Sequence, residues 1–226
     1  MRETFTFRTI ARIRSDFPEK FGIPRQSGIL KSLKSTIVFE PEFRNADALR
    51  GLEDFSHLWL LWIFSENIRD GFCPTVRPPR LGGNRRMGVF ATRSSFRPNP
   101  LALSVVKIEK IEMSPDGPLI AVSGADLMNG TPIVDIKPYL PSADSIPDST
   151  GGFTDKVNFT PLTVHFPQSE LEKIPEEKRE SLIKILSEDP RPAYQKDLRR
   201  VYGFRFSDWN VRFTVAENIL EVIDVK

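Results

Sequence analysis

The chain has 226 residues with 39% hydrophobic content, enough apolar material for a sizeable core and a length that suits one large domain beside a small one. Its formal net charge of only +2 means that any affinity for nucleic acid must come from where the charges sit. The single cysteine, Cys73, excludes an internal disulfide framework, the amino terminus has no signal-peptide core, and the longest apolar run (Leu58 to Phe64) is too short to cross a bilayer, so a cytoplasmic protein with no membrane partner is expected.

The first 140 residues read mainly as strands. Phe5, Phe7, Thr9, Ala11 and Ile13 alternate with the period of a half-buried strand. Thr36 to Phe39 is a short β-branched and aromatic run closed by Glu40-Pro41. Leu49, Leu52 and Phe55 recur at helical spacing and suggest a short helix over 47–55, which Gly51 weakens. Leu58 to Phe64 is apolar on both faces, as a central strand would be. A short strand over Gly88 to Ala91 and longer ones at Leu101 to Ile111, Leu119 to Gly124 and Ile133 to Ile136 follow. Many short strands with Pro and Gly punctuation point to a barrel.

Pro141 to Gly152 is polar, rich in turn formers and without periodicity, the pattern of a linker. This places a first domain at residues 1–158 and a small α+β unit at 159–226. In the latter, Pro175 suits a first helical position, Leu182, Ile185 and Leu186 form an apolar stripe, and Asp189-Pro190 ends the helix. Val201 to Phe206, Val211 to Val215 and Leu220 to Val225 read as a three-stranded meander. The fold class is thus mainly β: a barrel followed by a small α+β domain.

Several chemistries are missing from the pattern. No Gly-x-Gly-x-x-Gly follows a strand and no Walker loop occurs, so a doubly wound nucleotide crevice is unsupported. His57 and His165, the only histidines, lie more than a hundred residues apart without a cysteine cluster, and no metal site is expected. His57 reads as a structural histidine and Cys73 as a plain thiol.

What stands out is the segment from Leu81 to Pro100, with a glycine turn, arginines four apart and an Arg-Pro-Asn-Pro corner. Between Arg69 and Arg97 there are seven arginines, no lysine and one acid, Asp70. Arginine used alone suits bidentate or stacked recognition of phosphate, carboxylate or base, although a solvated basic face is the plainer alternative. Polar groups also follow the other strands: Pro24-Arg25-Gln26, then Ser65 and Glu66, then Arg93, Arg97 and Asn99, then Asp126-Leu127-Met128-Asn129. Convergence of these four segments would supply carboxylates, an amide and guanidinium groups on a rigid sheet.

Gly88 to Asn99 resembles the signature of the TsaA/TrmO-like family of S-adenosylmethionine-dependent tRNA methyltransferases, which act on N6-threonylcarbamoyladenosine beside the anticodon. Phe21 to Gln26, Arg50 to Leu58, Thr75 to Gly83, Asp135 to Pro141 and Asp189 to Tyr194 resemble its other blocks in the same order. The resemblance implies a non-Rossmann β-barrel methyltransferase and a homodimer with its cofactor site near the subunit boundary. It makes Pro24, Arg25, Gln26, Ser65, Glu66, Arg93, Leu103, Asp126, Leu127, Met128 and Asn129 the candidates for holding S-adenosylmethionine. Arg97 and Asn99 are expected to hold the acceptor, and Asp126, Asp135 or Tyr139 to take the proton that a urea-like N6–H must lose. Lys196, Arg199, Arg200, Arg205 and Arg212 around Tyr194, Tyr202, Phe204 and Trp209 suggest further RNA contacts, unless those aromatics form the core of the meander. The alternatives are an RNA-binding β-domain without catalysis and a methyltransferase for another carboxylate-bearing acceptor.

Overall fold

Alternation of apolar and polar residues drives the first part of the chain into strands with one inward face. The computed structural model describes residues 3–68, 71–78, 81, 85–156, 159–191, 197 and 200–226. In chain order the strands are β1 (Ala11–Arg14), β2 (Lys34–Phe39), β3 (His57–Ile63), β4 (Thr75–Val76), β5 (Met87–Gly88), β6 (Leu101–Ser114), β7 (Gly117–Ser123) and β8 (Pro132–Pro138). Six of them close a barrel in the order β1-β2-β7-β6-β3-β8, with antiparallel neighbours throughout. Closure leaves no unpaired strand edge, which allows strands as short as β1. Ala11, Ile13, Ile37, Leu58, Leu60 and Ile120 are fully buried in its core. Among the described residues, β4 and β5 pair only with each other, in the long β3–β6 connection.

The fold class is as expected, with local differences. Residues 5–9 lie outside regular structure, and Phe5 and Phe7 are exposed, because alternation alone does not make a strand where no neighbour offers a ladder. The helix expected over 47–55 is instead two 3₁₀ turns, Ala46–Leu49 and Leu52–Asp54, separated by Gly51 at φ +86°. The strand expected over 88–91 stops at Gly88 and gives way to a 3₁₀ turn, Val89–Ala91.

The carboxy-terminal sheet has strands β9 (Thr163–His165), β10 (Tyr202–Phe206), β11 (Trp209–Ala216) and β12 (Ile219–Val225), in the order β10-β11-β12-β9. The meander therefore gains a fourth strand, β9, parallel to β12. A helix, Glu176–Ser187, presses Leu182, Ile185 and Leu186 into this unit, with Pro175 at its N-cap.

The core of this unit reaches back into the barrel half of the chain. Phe17, Leu30 and Leu33, from the connection between β1 and β2, are buried among Phe204, Phe206 and Phe213. Polar ties follow the same seam: Lys178 to Asp16, the Arg205 backbone N–H to Glu19 at 2.9 Å, and Ser32 Oγ with Ser181 Oγ at 2.9 Å. Residues 15–33 thus leave the barrel, take their packing from the second unit, and return as β2.

The candidate cofactor and acceptor site

Strand direction explains why distant segments meet. Because neighbours alternate in direction around the barrel, the ends of β1, β3 and β7 and the starts of β2, β6 and β8 lie at one mouth. Three connections therefore crowd there: 15–33, 64–100 and 124–131. A cavity of about 470 Å³ lies between them, in the range of a nucleoside-sized ligand. Pro24, Arg25 and Gln26 line it from the first connection, Ser65, Glu66, Arg93 and Arg97 from the second, and Asp126 and Met128 from the third, with Leu103 on β6.

Asp126 is the electrostatic centre of the cavity. The Ser104 hydroxyl donates to its Oδ1 at 2.5 Å, and the Trp62 indole N–H donates to the Ser104 oxygen at 3.0 Å. Burial pushes the Asp126 carboxyl above its ordinary pKa; hydrogen bonds from Ser104 and from backbone N–H groups, with the charge of Arg93, pull the other way without cancelling the rise. Such a carboxylate is poised to gain from a cation entering the cavity. Arg93 Nη1 donates to Gln26 Oε1 at 2.7 Å, which joins the first and second connections across the mouth. Lys20 Nζ donates to the Glu66 carbonyl at 2.7 Å and fixes the turn that carries Ser65 and Glu66.

Other candidates lie elsewhere. Leu127 is fully buried in the barrel core, where it anchors the 124–131 connection from beneath. Asn129 accepts from the Ser15 backbone N–H at 3.2 Å and ties two connections together. Asn99 is exposed and lines neither this cavity nor its neighbour. Asp135, on β8, opens on a separate hollow with Ile10 and Phe43 and pairs with Lys137. Tyr139 follows β8 and packs against His57 and Trp59. Asp135 and Tyr139 are thus not gathered at the cavity within one chain, since β8 runs away from the mouth.

Arg97 borders the cavity, but its Nη1 donates to the carbonyls of Val89 (3.2 Å) and Thr92 (2.5 Å) and so pins the turn after β5. The aromatics expected at an RNA surface on the second unit are largely interior: Tyr202 and Phe204 are buried, Trp209 packs against the same core, and Arg212 pairs with Asp224. Tyr194, Lys196 and Arg199 fall outside the described residues, as do Arg69, Asp70, Arg80 and 82–84.

Lys20 and Trp62, which line the cavity, and Ser104, which holds Asp126, are candidates that the sequence pattern did not single out. Ser104 did leave a signal, as the only hydroxyl in the apolar run from Leu101 to Val106. Such a group is kept inside a barrel wall only when it has partners. Among the described residues there is no group of three or more His, Cys, Asp or Glu side chains able to hold a metal ion, and no helix is long and apolar enough to cross a membrane.

Comparison with known proteins agrees with this architecture. Residues 12–145 match the tRNA-methyltransferase O N-terminal domain, and residues 154–226 the TrmO C-terminal domain. The tRNA (adenine(37)-N6)-methyltransferase of Escherichia coli strain K12 is 43% identical over 228 residues, covering 97% of each chain. The protein of the same name from Eikenella corrodens is 46% identical over 73% of this chain and 93% of its own. The crystal structure of TrmO from Pseudomonas aeruginosa superposes with a TM-score of 0.80 at 33% identity, covering 99% of both chains.

Proposed function

From the premise that the chain belongs to the TrmO family of S-adenosylmethionine-dependent tRNA methyltransferases, we propose that it methylates N6 of threonylcarbamoyladenosine beside the anticodon of tRNA. The observation that carries this reading is the meeting of three connections around one enclosed carboxylate, Asp126, in a cavity of nucleoside size.

The donor set suits the cofactor. Asp126 offers an acceptor to a cationic group, Gln26 and backbone groups of the 24–26 turn offer hydrogen bonds, and Trp62, Phe64 and Leu103 give apolar walls. When bound, S-adenosylmethionine supplies an electrophilic methyl group on sulfur. The protein has to align the acceptor nitrogen and receive its proton. Of the three candidate proton acceptors, Asp126 lines the cavity, whereas Asp135 and Tyr139 could take part only from a second copy. Arg97 and Asn99 belong to the acceptor side, where Arg97 shapes the turn and Asn99 is reached from solvent. The same reading includes a homodimer with its boundary close to this mouth, acting in the cytoplasm without a metal.

The test is methyl transfer from labelled S-adenosylmethionine to tRNA with and without threonylcarbamoyladenosine. Label on the modified tRNA alone is expected. Cofactor binding without label on either RNA would move the acceptor elsewhere, and no cofactor binding would leave an RNA-binding module.

A further inference from the structure

Beside the cofactor cavity lies an open cleft of about 1560 Å³, and the two share Arg25, Gln26, Arg93 and Arg97 as a common wall. We propose that this cleft is a stacking platform for an unpaired nucleotide next to the target adenosine, with Phe72 and Phe90 as the platform and Arg77 and Arg86 holding its backbone. The proposal rests on the reading of the chain as a tRNA methyltransferase and adds where, and through which side chains, the RNA strand is gripped.

The two phenylalanines are out of place for a folded core. Phe72 is 57% exposed and Phe90 is 72% exposed, yet the rings are stacked on each other at 6.1 Å and 24°. At that separation the rings contact each other, so they present outer faces and not a slot.

The mounting is rigid. Phe90 sits in the Val89–Ala91 turn, which is held by Arg97 Nη1 on Val89 O and Thr92 O and by the Val89 N–H on Pro74 O at 2.9 Å. The Arg97 guanidinium carbon also lies 5.9 Å from the Phe90 ring centroid. Arg86 is braced on Thr75 Oγ1 at 3.1 Å. An exposed ring braced as Phe90 is, with Phe72 stacked on it, loses little freedom on binding.

Charge selects the occupant. The described lining of the cleft carries five arginines and no acidic side chain. A second copy docking symmetrically through this face would set arginine against arginine, because an isologous contact pairs a patch with itself. Single-stranded RNA matches both features, with phosphates for the guanidinium groups and bases for the aromatic faces. A nucleotide stacked here would be adjacent to an acceptor at the cavity, because the wall is shared. Most aromatics of the second unit are buried, whereas this cleft sets five arginines around the exposed rings of Phe72 and Phe90.

The experiment measures binding of a fluorescent anticodon stem-loop RNA to the full chain by anisotropy, with cofactor affinity followed separately by calorimetry. Phe72→Ala and Phe90→Ala should each weaken RNA binding about tenfold. Phe90→Trp should bind like the parent, and cofactor affinity should not move in any of the three. Removing the base on one side of the target adenosine should weaken binding to the parent by a similar factor and add no further loss in Phe90→Ala.

RNA affinity unchanged in both alanine variants would overturn the proposal. So would base removals that add fully to Phe90→Ala on both sides, or a loss of RNA binding accompanied by a changed sedimentation coefficient without RNA, which would mark the patch as a seam between copies. A parent protein that binds cofactor and RNA but transfers no methyl group would count against the methyltransferase reading alone, because the binding cycle still decides the platform.

Discussion

Replacing Asp126 by alanine should weaken S-adenosylmethionine binding about a hundredfold, as expected when one partner of an enclosed charge pair is removed. Two features set the scale: the carboxylate is largely buried in the cavity wall, and it is held there by the Ser104 hydroxyl and by backbone N–H groups, that of Ser27 among them. Asp126→Asn keeps the shape and separates charge from packing. Burial holds the folded-state pKa above the ordinary carboxyl value. In the free protein, the stability gained from the neutral carboxyl is therefore complete below that ordinary value and is lost as pH rises through the raised one.

Cofactor binding has the opposite dependence. A cation prefers the carboxylate, so affinity should strengthen as pH climbs through the raised pKa and level off above it. Asp126→Asn should flatten this profile, and at neutral pH the free variant should melt no lower than the parent. Calorimetric titration across the acid range, with thermal unfolding alongside, checks both. Asn variants that bind with the affinity and pH profile of the parent would remove Asp126 from the site.

Gly22→Ala should lower stability by about 2–5 kcal/mol, the sum of a strained backbone and an overfilled contact. Gly22 sits at φ +89°, and a β-carbon there would stand 2.4 Å from Cδ2 of the fully buried Phe204. Phe21 meets the same ring edge-on, with centroids 6.2 Å apart. Two residues further on, the chain reaches Pro24, Arg25 and Gln26 at the cofactor cavity. Arg25 Nη2 also donates to the Asp189 carbonyl of the second unit at 3.1 Å.

Displacement at Gly22 should therefore reach the cofactor side. KM for the cofactor is expected to rise in Gly22→Ala while kcat at saturation changes little, the signature of lost uniform binding. Phe204→Leu, which shortens the facing ring, should restore part of both losses when combined with Gly22→Ala. Strict additivity of the two substitutions would show that the contact does not transmit to the site.

Much of the fold was legible in the sequence because it follows from local alternation. Ala11 and Ile13 recur with period two and point inward from β1, whereas β3 is apolar at every position from Leu58 to Ile63, and only the structure shows that Leu58, Leu60 and Trp62 are its inward set. Phe5 and Phe7 show the same period and form nothing, because a strand needs a neighbouring ladder that alternation does not provide. The helical spacing of Leu49, Leu52 and Phe55 misled for a related reason: the left-handed backbone at Gly51 splits the segment into two turns.

At the site, the residue types and their loop positions could be read from the chain itself. Arginine without lysine between 69 and 97, a carboxylate where β7 ends, and Pro-Arg-Gln after β1 all follow from order and composition. Closure of the sheet decided which of them meet. Alternating strand direction brings 24–26, 65–66, 93–97 and 126–128 to one mouth and carries Asp135 and Tyr139 along β8 away from it. Packing decided the rest. Ser104 became the partner of Asp126 with Trp62 behind it, Arg97 became a pin for its own turn, and the aromatics of the second unit became a core that grips residues 15–33. Residue order specifies which groups a connection carries, but the distances between connections depend on how many strands close the barrel and in which register, and that is a property of the assembled sheet.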